Sequence, residues 1–224
     1  MPEALCSKPL GVFGGTFDPL HFGHLRLAED AADALGLACV RWIPAGQPAL
    51  RDIPQASAVQ RLEMVRLAIA GNPRFELDAA EVKAAQPSYT VPTLERLRQP
   101  AVCGSARPLV LLVGADAFAG MASWHRWEAL FDLAHVAVAH RPGFPIDAAG
   151  LPTALASAWR ARFCADSGAL ATIPAGRIAT FAMTQLDISA TKVRALLSKG
   201  GSARYLLPDA LLSYIHEQQL YPES

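Results

Sequence analysis

Short apolar runs alternate along the chain with longer segments in which apolar residues recur every three or four positions. The run at 108–116 is apolar without alternation, which is typical of a central parallel strand buried on both faces. Strands are predicted at 10–14, 38–44, 74–81, 108–116, 135–143 and 177–185. Because helical segments separate these runs, the pattern predicts a doubly wound α/β fold with a mainly parallel sheet.

The segments between the strands carry the spacing of amphipathic helices. Helices are predicted at 24–37, 57–71, 91–99, 153–165, 191–200 and 208–220, and the last two form a C-terminal helical segment. In the helix at 57–71 the apolar positions are Val59, Leu62, Val65, Leu67 and Ile69. Charged residues lie between them, namely Arg61, Glu63 and Arg66.

Residues 144–176 fit the alternation least well, because they are rich in Ala, Pro and Gly. Only the helix at 153–165 is predicted within them. The segment is too short to build a hydrophobic core of its own. We therefore predict an insertion inside a single domain that covers residues 1–224.

The composition is that of a globular protein, with 224 residues of which 52% are hydrophobic and 18% charged. Lys plus Arg and Asp plus Glu both number 20, so no net field attracts nucleic acid or an anionic membrane. No apolar run is long enough to span a bilayer, and no signal peptide is recognisable. The scattered cysteines favour reduced thiols in the cytoplasm over disulfides or a thiolate metal site.

The most informative stretch is GVFGGTFDPLHFGH, residues 11–24. A predicted strand ends at Gly14 and Gly15 and a helix begins shortly afterwards, so unpaired N–H groups and the positive end of the helix dipole form an anion site. The glycines let a ligand approach the backbone. His21 and His24 lie on one face and can both donate to the same anion. The stretch predicts a phosphate site, although it is neither a Walker loop nor a GxGxxG motif.

Simpler interpretations of this stretch are a glycine turn and two capping or surface histidines. They do not explain why two glycines, an Asp-Pro turn and two histidines occur together at this spacing. Zinc is a competing ligand, but zinc sites on helices usually use an i, i+4 pair and a third ligand. Phosphate is therefore favoured, and no metal site built from protein ligands alone is predicted.

The string GGTFDPLHFGH contains an HxGH motif and resembles the bacterial nicotinate-nucleotide adenylyltransferases, which belong to the HxGH nucleotidyltransferase superfamily. Four further segments resemble the same family, at 43–51, 87–97, 111–130 and 188–200. Together the matching segments span 10–142 and 177–221. The resemblance implies a Rossmann-like nucleotidyltransferase fold.

The resemblance implies transfer of AMP from ATP to nicotinate mononucleotide, giving nicotinate adenine dinucleotide and pyrophosphate in NAD biosynthesis. The attacking phosphate is already ionised at neutral pH, so catalysis should depend on positioning and charge neutralisation. An imidazole beside an anion has its charged form favoured, so one histidine is expected to be cationic in the complex. Mg²⁺ is expected to enter with ATP, since a single carboxylate such as Asp18 is a weak magnesium site.

The residues implied to be catalytic are His21, His24 and Arg194, and Arg194 can reach phosphate with its planar fork. Those implied to bind ATP are Gly14, Gly15, Thr16, Phe17, His21, His24, Ile188, Ser189, Thr191 and Arg194. Those implied to bind the mononucleotide are Asp18, Arg51, Tyr89, Thr90, Asp116, Trp124 and Arg141.

Structural alternatives stay open for several of these residues. Ser189 can be a helix cap with Arg194 in solvent. Trp124 and Trp127 can be core residues at helical spacing. Asp116 can cap a helix instead of contacting a ribose hydroxyl.

Two positions depart from the family pattern. The family loop usually reads Pro-Pro-His followed by Lys or Arg, whereas this chain has Pro48-Ala49-Leu50-Arg51. The histidine is missing, and Arg51 keeps the charge. A second helix usually begins with Asp where Pro92 stands, which removes an N-terminal cap.

Other functions remain open from the sequence. The acceptor can be another phosphorylated molecule, such as nicotinamide mononucleotide or phosphopantetheine. A non-catalytic nucleotide-binding module is the alternative from a different class. An RNA-binding protein is disfavoured by the zero net charge. A homo-oligomer is left open.

Overall fold

The structure, a computed structural model, describes residues 8–49, 53–84, 86–144, 146 and 148–222. Its strands are β1 (Leu10–Gly15), β2 (Cys39–Pro44), β3 (Gln47–Pro48), β4 (Phe75–Leu77), β5 (Pro87–Ser88), β6 (Leu109–Gly114), β7 (His135–His140) and β8 (Ile178–Ala182). Six of them form one sheet in the order β4-β2-β1-β6-β7-β8, while β3 and β5 form a second sheet.

The helices lie between the strands. They are α1 (Phe22–Ala34), α2 (Ala58–Ile69), α3 (Ala80–Lys83), α4 (Thr90–Leu97), α5 (Ala115–Ala119), α6 (Leu130–Leu133), α7 (Thr153–Arg162), α8 (Ala190–Leu197) and α9 (Asp209–Glu217). Among the described residues, no helix is both long enough and apolar enough to cross a membrane.

The predicted α/β fold with a parallel sheet is confirmed. Strands β1, β6, β7 and β8 pair in parallel. From β1 the order continues to β2 and β4 on one side and to β6, β7 and β8 on the other. The carboxyl end of β1 therefore lies at a topological switch point, which is where parallel α/β sheets bind ligands.

Several predicted boundaries are shifted. The strand predicted at 108–116 ends at Gly114, because the next two residues already belong to α5. The strand predicted at 74–81 shortens to Phe75–Leu77, and the helix predicted from 24 begins at Phe22. The two-residue strands β3 and β5 and the four-residue helix α3 are too short for periodicity to reveal.

The chain divides into two compact units, of which the first comprises Met1–Phe13, Leu27–Arg41 and Tyr89–Thr184. Strands β6 and β7 are almost fully buried in it. The predicted insertion contributes to this core through α7, where Trp159 is 9% exposed and stands 5.7 Å from the ring of Phe118. The single domain proposed from the sequence stays a prediction.

The second unit comprises Gly14–Arg26, Trp42–Ser88 and Gln185–Ser224. Helix α9 packs against α2 within it. Its fully buried side chains include Trp42 and Met64. This unit contains the glycine-histidine stretch as well as the ISATKVR segment.

Helix α2 begins with a capping box, in which the Ser57 hydroxyl accepts from the Gln60 amide and the Gln60 side chain accepts from the Ser57 amide. The residues that α2 buries are Arg61, Met64, Val65 and Ile69. The predicted apolar face is therefore wrong at Val59, which is 69% exposed, and at Arg61, which is 1% exposed.

Candidate nucleotide-binding site

The carboxyl end of β1 leads into the loop that precedes α1. A Cβ atom on Gly15 would come within 2.8 Å of the Phe17 ring, so this glycine makes room for Phe17. A Cβ on Gly14 would meet nothing closer than the Ile43 carbonyl oxygen at 3.9 Å. Gly14 is exposed, so the space beside it is open to a ligand.

Phe17 has a left-handed backbone with a φ of 52°. This conformation is unfavourable for a bulky residue and is concentrated at functional sites. The Phe17 side chain is buried and contacts the His24 ring edge-to-face, with 5.3 Å between centroids. The buried Phe17 ring of this loop thus packs against the His24 ring.

His21 and His24 stand at the start of α1 with their rings tilted by 31° and 3.8 Å between centroids. The His21 carbonyl accepts from the Leu25 amide, and the His21 amide donates to His24 Nδ1 over 3.2 Å. Because His24 Nδ1 accepts this hydrogen bond, the neutral His24 ring carries its proton on Nε2. His24 can therefore donate through Nε2.

Gly23 allows the His21 ring to lie against the helix. Its Cβ position is 3.0 Å from two atoms of that ring and 3.6 Å from the Ile188 carbonyl oxygen. His21 is 6% exposed, and its Nδ1 is buried without a hydrogen-bond partner among the described residues. The glycine of the HxGH motif thus leaves room for the ring of the first histidine.

Burial favours the neutral form of both histidines. Burial lowers the pKa of His21 to about 4. Burial, and in second place the charge of His21, lower the pKa of His24 well below its ordinary value. The expected cationic histidine concerns the nucleotide complex, so it stays a prediction.

The ISATKVR segment lies in the same unit as the two histidines. Ser189 is the N-cap of α8, and its hydroxyl accepts from the Lys192 amide. Arg194 is half-buried and donates from Nη1 to the Asp18 carbonyl oxygen over 2.6 Å. The alternative of a solvated arginine is therefore wrong. Thr191 is exposed in the first turn of α8.

The Asp18 carboxylate is 5% exposed and anchors the loop. It accepts from the Gln55 amide over 2.8 Å, from the Ala56 amide over 3.2 Å and from the Tyr221 hydroxyl over 2.6 Å. Burial, together with the carboxylate beside it, raises the pKa of Tyr221, so this hydroxyl keeps its proton. Asp18 thus fixes the turn, and its contact with a mononucleotide stays a prediction.

Arg61 and Tyr221 were missed by the sequence analysis. Arg61 donates to the carbonyl oxygens of Ala56, Thr16 and Gly46 over 3.2, 2.8 and 3.0 Å. Burial lowers the pKa of Arg61, although a guanidinium remains charged in proteins. Arg61 shares a helical face with Met64 and Val65, but this spacing alone does not distinguish a buried arginine from a solvated one.

The residues predicted to bind the mononucleotide belong to the other unit, apart from Asp18 and Arg51. Arg51 lies outside the described residues. Tyr89 is the N-cap of α4 and makes no side-chain capping bond, so the cap predicted to be lost at Pro92 is misplaced, because Pro92 is the third residue of this helix. The Tyr89 ring lies 4.8 Å from that of His125, which the sequence analysis did not single out. Thr90 is the first residue of α4.

Asp116 and Arg141 are exposed, and Trp124 is half-buried. Gly114 is the N-cap of α5, so Asp116 does not cap this helix. Trp124 and Trp127 do not share a helical face, since they belong to separate short turns and neither is fully buried. The alternatives of a capping Asp116 and of two core tryptophans are therefore wrong.

The polar groups around the histidines suit an anion better than a metal. Within the described ranges, no three His, Cys, Asp or Glu side chains are grouped so that they could hold a metal ion. The Asp18 carboxylate is already engaged by three donors. Imidazole and guanidinium groups donate to phosphate oxygens, so the site resembles a phosphate clamp.

A family model supports this assignment. The model described as cytidylyltransferase-like matches residues 12–196. The fold and the donor cluster therefore define a nucleotidyltransferase of the cytidylyltransferase-like class.

Two curated relatives carry the name "Probable nicotinate-nucleotide adenylyltransferase". The one from Dechloromonas aromatica (strain RCB) is 63% identical over 218 residues, covering 97% of this chain and 100% of the relative. The one from Acidithiobacillus ferrooxidans is 46% identical, covering 95% of each chain. This chain belongs to the family of the nicotinate-nucleotide adenylyltransferases.

Solved structures support the fold. The nicotinic acid mononucleotide adenylyltransferase of Plasmodium falciparum, complexed with NaAD, superposes with a TM-score of 0.68. It is 15% identical, and the match covers 96% of this chain and 97% of that protein. At this identity the likeness concerns the fold alone.

Proposed function

We propose that this chain transfers AMP from ATP to nicotinate mononucleotide, forming nicotinate adenine dinucleotide (NaAD) and pyrophosphate. The observation that carries the proposal is the donor cluster in the second unit. The rings of His21 and His24 are 3.8 Å apart, and Arg194 bonds to the Asp18 carbonyl in the loop that leads to them. Two histidines and an arginine from distant parts of the sequence are thereby connected to one loop, and in this proposal they receive a phosphate there.

The residues 14–20, here called the ATP loop, receive the nucleotide in this proposal. The open space at Gly14 admits the backbone approach of ATP, and the start of α1 favours its negative charge. The second half of the phosphate clamp is formed by residues of the ISATKVR segment, namely Ile188, Ser189, Thr191 and Arg194. Mg²⁺ enters as part of the ATP substrate, bound to its phosphates.

The reaction is an in-line displacement at the α-phosphorus. An ionised phosphate oxygen of the acceptor forms the new P–O bond, and the bond to the bridging oxygen breaks. The electron pair leaves with pyrophosphate, so negative charge grows on that oxygen. His24 donates from Nε2 and Arg194 from its guanidinium to neutralise it.

His21 is the histidine that we expect to take up a proton in the complex. Protonation of His24 at Nδ1 would break its hydrogen bond from the His21 amide. His21 Nδ1 has no partner among the described residues, so protonating this ring breaks no bond. Triphosphate charge beside the ring raises its pKa towards neutrality. ATP binding is then coupled to proton uptake.

The acceptor is bound by residues of chemically suitable types. Trp124 stacks on the pyridine ring, amides near Thr90 receive the carboxylate, and Tyr89 borders the ring. Asp116 contacts a ribose hydroxyl. Arg141 binds the acceptor phosphate, and Arg51 is the cation of the mononucleotide-binding segment predicted from the sequence.

Pyrophosphate release tests the proposal directly. The wild-type chain is supplied with Mg-ATP and nicotinate mononucleotide, nicotinamide mononucleotide or phosphopantetheine in turn, and kcat/KM is measured for each. We expect the highest value for nicotinate mononucleotide. A higher value for either other acceptor would reassign the substrate. ATP binding without turnover on any acceptor would instead support the non-catalytic module.

A further inference from the structure

Arg61 is a buried cation that the proposed reaction does not use. It is 1% exposed and lies in the second turn of α2. Burial of a charged group is costly unless its donors are satisfied. Its hydrogen-bond partners therefore indicate what this residue is for.

All three partners of Arg61 are main-chain carbonyl oxygens. Nη1 donates to Thr16 over 2.8 Å, Nη2 to Gly46 over 3.0 Å and Nε to Ala56 over 3.2 Å. Thr16 belongs to the ATP loop, and Gly46 belongs to the residues 45–49, which include strand β3. These residues are here called the acceptor loop because Arg51, predicted to bind the acceptor, follows them. One rigid guanidinium thus bonds both loops at once.

These bonds set the direction of neighbouring amides. In a planar trans peptide the carbonyl and the next N–H point in opposite directions. The Thr16 carbonyl faces Arg61, so the Phe17 N–H faces away from the buried guanidinium. The same geometry holds at Gly46, where the next amide, that of Gln47, donates to the Ser88 hydroxyl over 3.3 Å.

The acceptor loop has little freedom at Gly46. A Cβ there would come within 2.1 Å of the Glu81 carbonyl oxygen, so only glycine fits. Its amide donates to the Ser88 hydroxyl over 2.9 Å, and its carbonyl accepts from Arg61. Ser88 therefore bonds only to the acceptor loop, whereas Arg61 bonds to both the acceptor loop and the ATP loop.

We infer that Arg61 is a positioning residue that fixes the ATP loop and the acceptor loop in the geometry that binds their two substrates. The inference rests on the proposed function. A lysine cannot replace this role, because an ammonium lacks the planar fork that reaches three carbonyls. Loss of the fork should therefore weaken the binding of both substrates.

The test compares Arg61→Lys with the wild type by isothermal titration at 10 °C. The probes are α,β-methylene-ATP with Mg²⁺ and nicotinate mononucleotide, each titrated alone. We expect both dissociation constants to rise at least tenfold. Urea unfolding of the same samples verifies that the variant is folded under these conditions.

Two control variants separate positioning from general stability. Ser88→Ala should raise the dissociation constant of the mononucleotide and leave that of the nucleotide analogue within twofold, since Ser88 touches only the acceptor loop. Arg66→Lys, on the exposed side of the same helix, should change neither. An Arg61→Lys protein that is less stable yet binds both probes normally, or loses only one, contradicts the inference.

Amide hydrogen exchange in the wild type provides a measurement that does not depend on a variant folding. Binding of α,β-methylene-ATP alone should slow exchange of the Gly46 and Gln47 amides at least threefold, because Arg61 joins this loop to the ATP loop. The Ala45 amide is left out of the comparison, since it donates directly to the Gly15 carbonyl oxygen over 2.9 Å. Unchanged exchange of the Gly46 and Gln47 amides contradicts the inference. A wild type that does not bind nicotinate mononucleotide contradicts the proposed function instead, and the two failures are thereby distinct.

Discussion

The hydrogen bond from the His21 amide to His24 Nδ1 assigns different tasks to the two nitrogens of His24. Asn at position 24 places an acceptor near Nδ1 but provides no donor near Nε2, whereas Gln provides the reverse. His24→Asn should keep the fold and lower kcat by a factor of about 100 or more, as expected for loss of a donor to developing charge.

Single-turnover rates with saturating ATP measure this effect, and His24→Gln is the matched variant. Gln should retain at least ten times more activity than Asn, since it keeps a donor at the Nε2 position. If the two variants have equal rates, the Nε2 donor has no part in the chemistry.

The low pKa of His21 makes stability depend on pH. The unfolded chain binds a proton at its ordinary pKa near 6.5, while folded His21 binds one only near 4. The neutral His21 ring therefore contributes fully to the free energy of unfolding above pH 6.5, and the contribution is lost as the pH falls towards 4. Between pH 7 and pH 4 the loss from His21 amounts to about 3 kcal/mol.

Urea unfolding of wild type and His21→Asn across this pH range measures the contribution. The wild type should lose more unfolding free energy than His21→Asn, by about 3 kcal/mol. His216→Asn, at an exposed position in α9, is the control and should follow the wild type. Parallel curves for His21→Asn and wild type would contradict the burial of His21 as the cause.

Gly14 and Gly15 are adjacent but should respond differently to alanine. In Gly15→Ala the new methyl meets the Phe17 ring at 2.8 Å, so unfolding free energy should fall by about 1–3 kcal/mol. In Gly14→Ala nothing in the protein lies closer than 3.9 Å, so stability should stay within about 1 kcal/mol while the ATP analogue binds at least tenfold more weakly.

Thermal unfolding and nucleotide titration of both variants test this contrast. Normal nucleotide binding by Gly14→Ala would remove Gly14 from the site.

The residues found from the sequence are those whose spacing is unusual by itself. His21 and His24 place two histidines within one helical turn, directly after a glycine pair, which is an uncommon combination. Local chemistry alone therefore predicts an anion site there. Arg61 and Tyr221 could not be found in this way, because their roles depend on partners far along the chain. An arginine in an amphipathic helix is indistinguishable from a solvated one until the fold shows which face is buried.

Among the elements, α2 and α8 begin with the same device, a serine whose hydroxyl accepts from the amide three residues on. Ser57→Ala and Ser189→Ala should each lower the unfolding free energy by about 1 kcal/mol. Only Ser189→Ala should also raise the KM for ATP, because α8 is proposed to be part of the phosphate clamp and the cap of α2 is not.

Urea unfolding and initial-rate kinetics of both variants provide the comparison. Equal KM values in the two variants would limit Ser189 to its capping role.

Element type followed from periodicity in a long helix such as α9, and from an unbroken apolar run in β6. Periodicity did not predict correctly which face of α2 is buried, since Val59 is exposed although it fits the apolar series. The two-residue strands β3 and β5 pair with each other, and sequences this short contain no period from which they could be read. Strand β4 was predicted, but it is shorter than the predicted range 74–81.

At the scale of the whole molecule, Arg98 joins distant stretches of the first unit. Its guanidinium donates to the carbonyl oxygens of Arg107, Leu133 and Pro174 over 2.6, 2.8 and 2.8 Å. Arg98→Met leaves these carbonyls without their donor, so the unfolding free energy should fall by about 3 kcal/mol.

Urea unfolding measures this change, and Arg160→Met on the exposed side of α7 is the control, with an expected effect within about 0.5 kcal/mol. Equal effects of the two substitutions would show that the carbonyl contacts of Arg98 contribute nothing.

The α/β architecture of the whole molecule could be predicted from the sequence, but the strand order and the packing of individual elements could not. Alternating strands and helices determine a parallel α/β sheet, because crossover connections impose it. The strand order and the burial of α7 could not be derived, since both depend on which surfaces pack best against one another. Motifs located the ends of the predicted strands where a ligand is proposed to bind, but not the buried network that holds them.

The hydrogen bond between Asp18 and Tyr221 can form only after nearly the whole chain has been synthesised. A ribosome that adds about 5–20 residues per second makes the first of these residues wait roughly 10–40 s for the second. Until then the Asp18 carboxylate lacks its phenol partner. Nascent chains therefore cannot complete the nucleotide site early, and a truncated product of translation that stops before Tyr221 should be inactive and unable to sequester ATP.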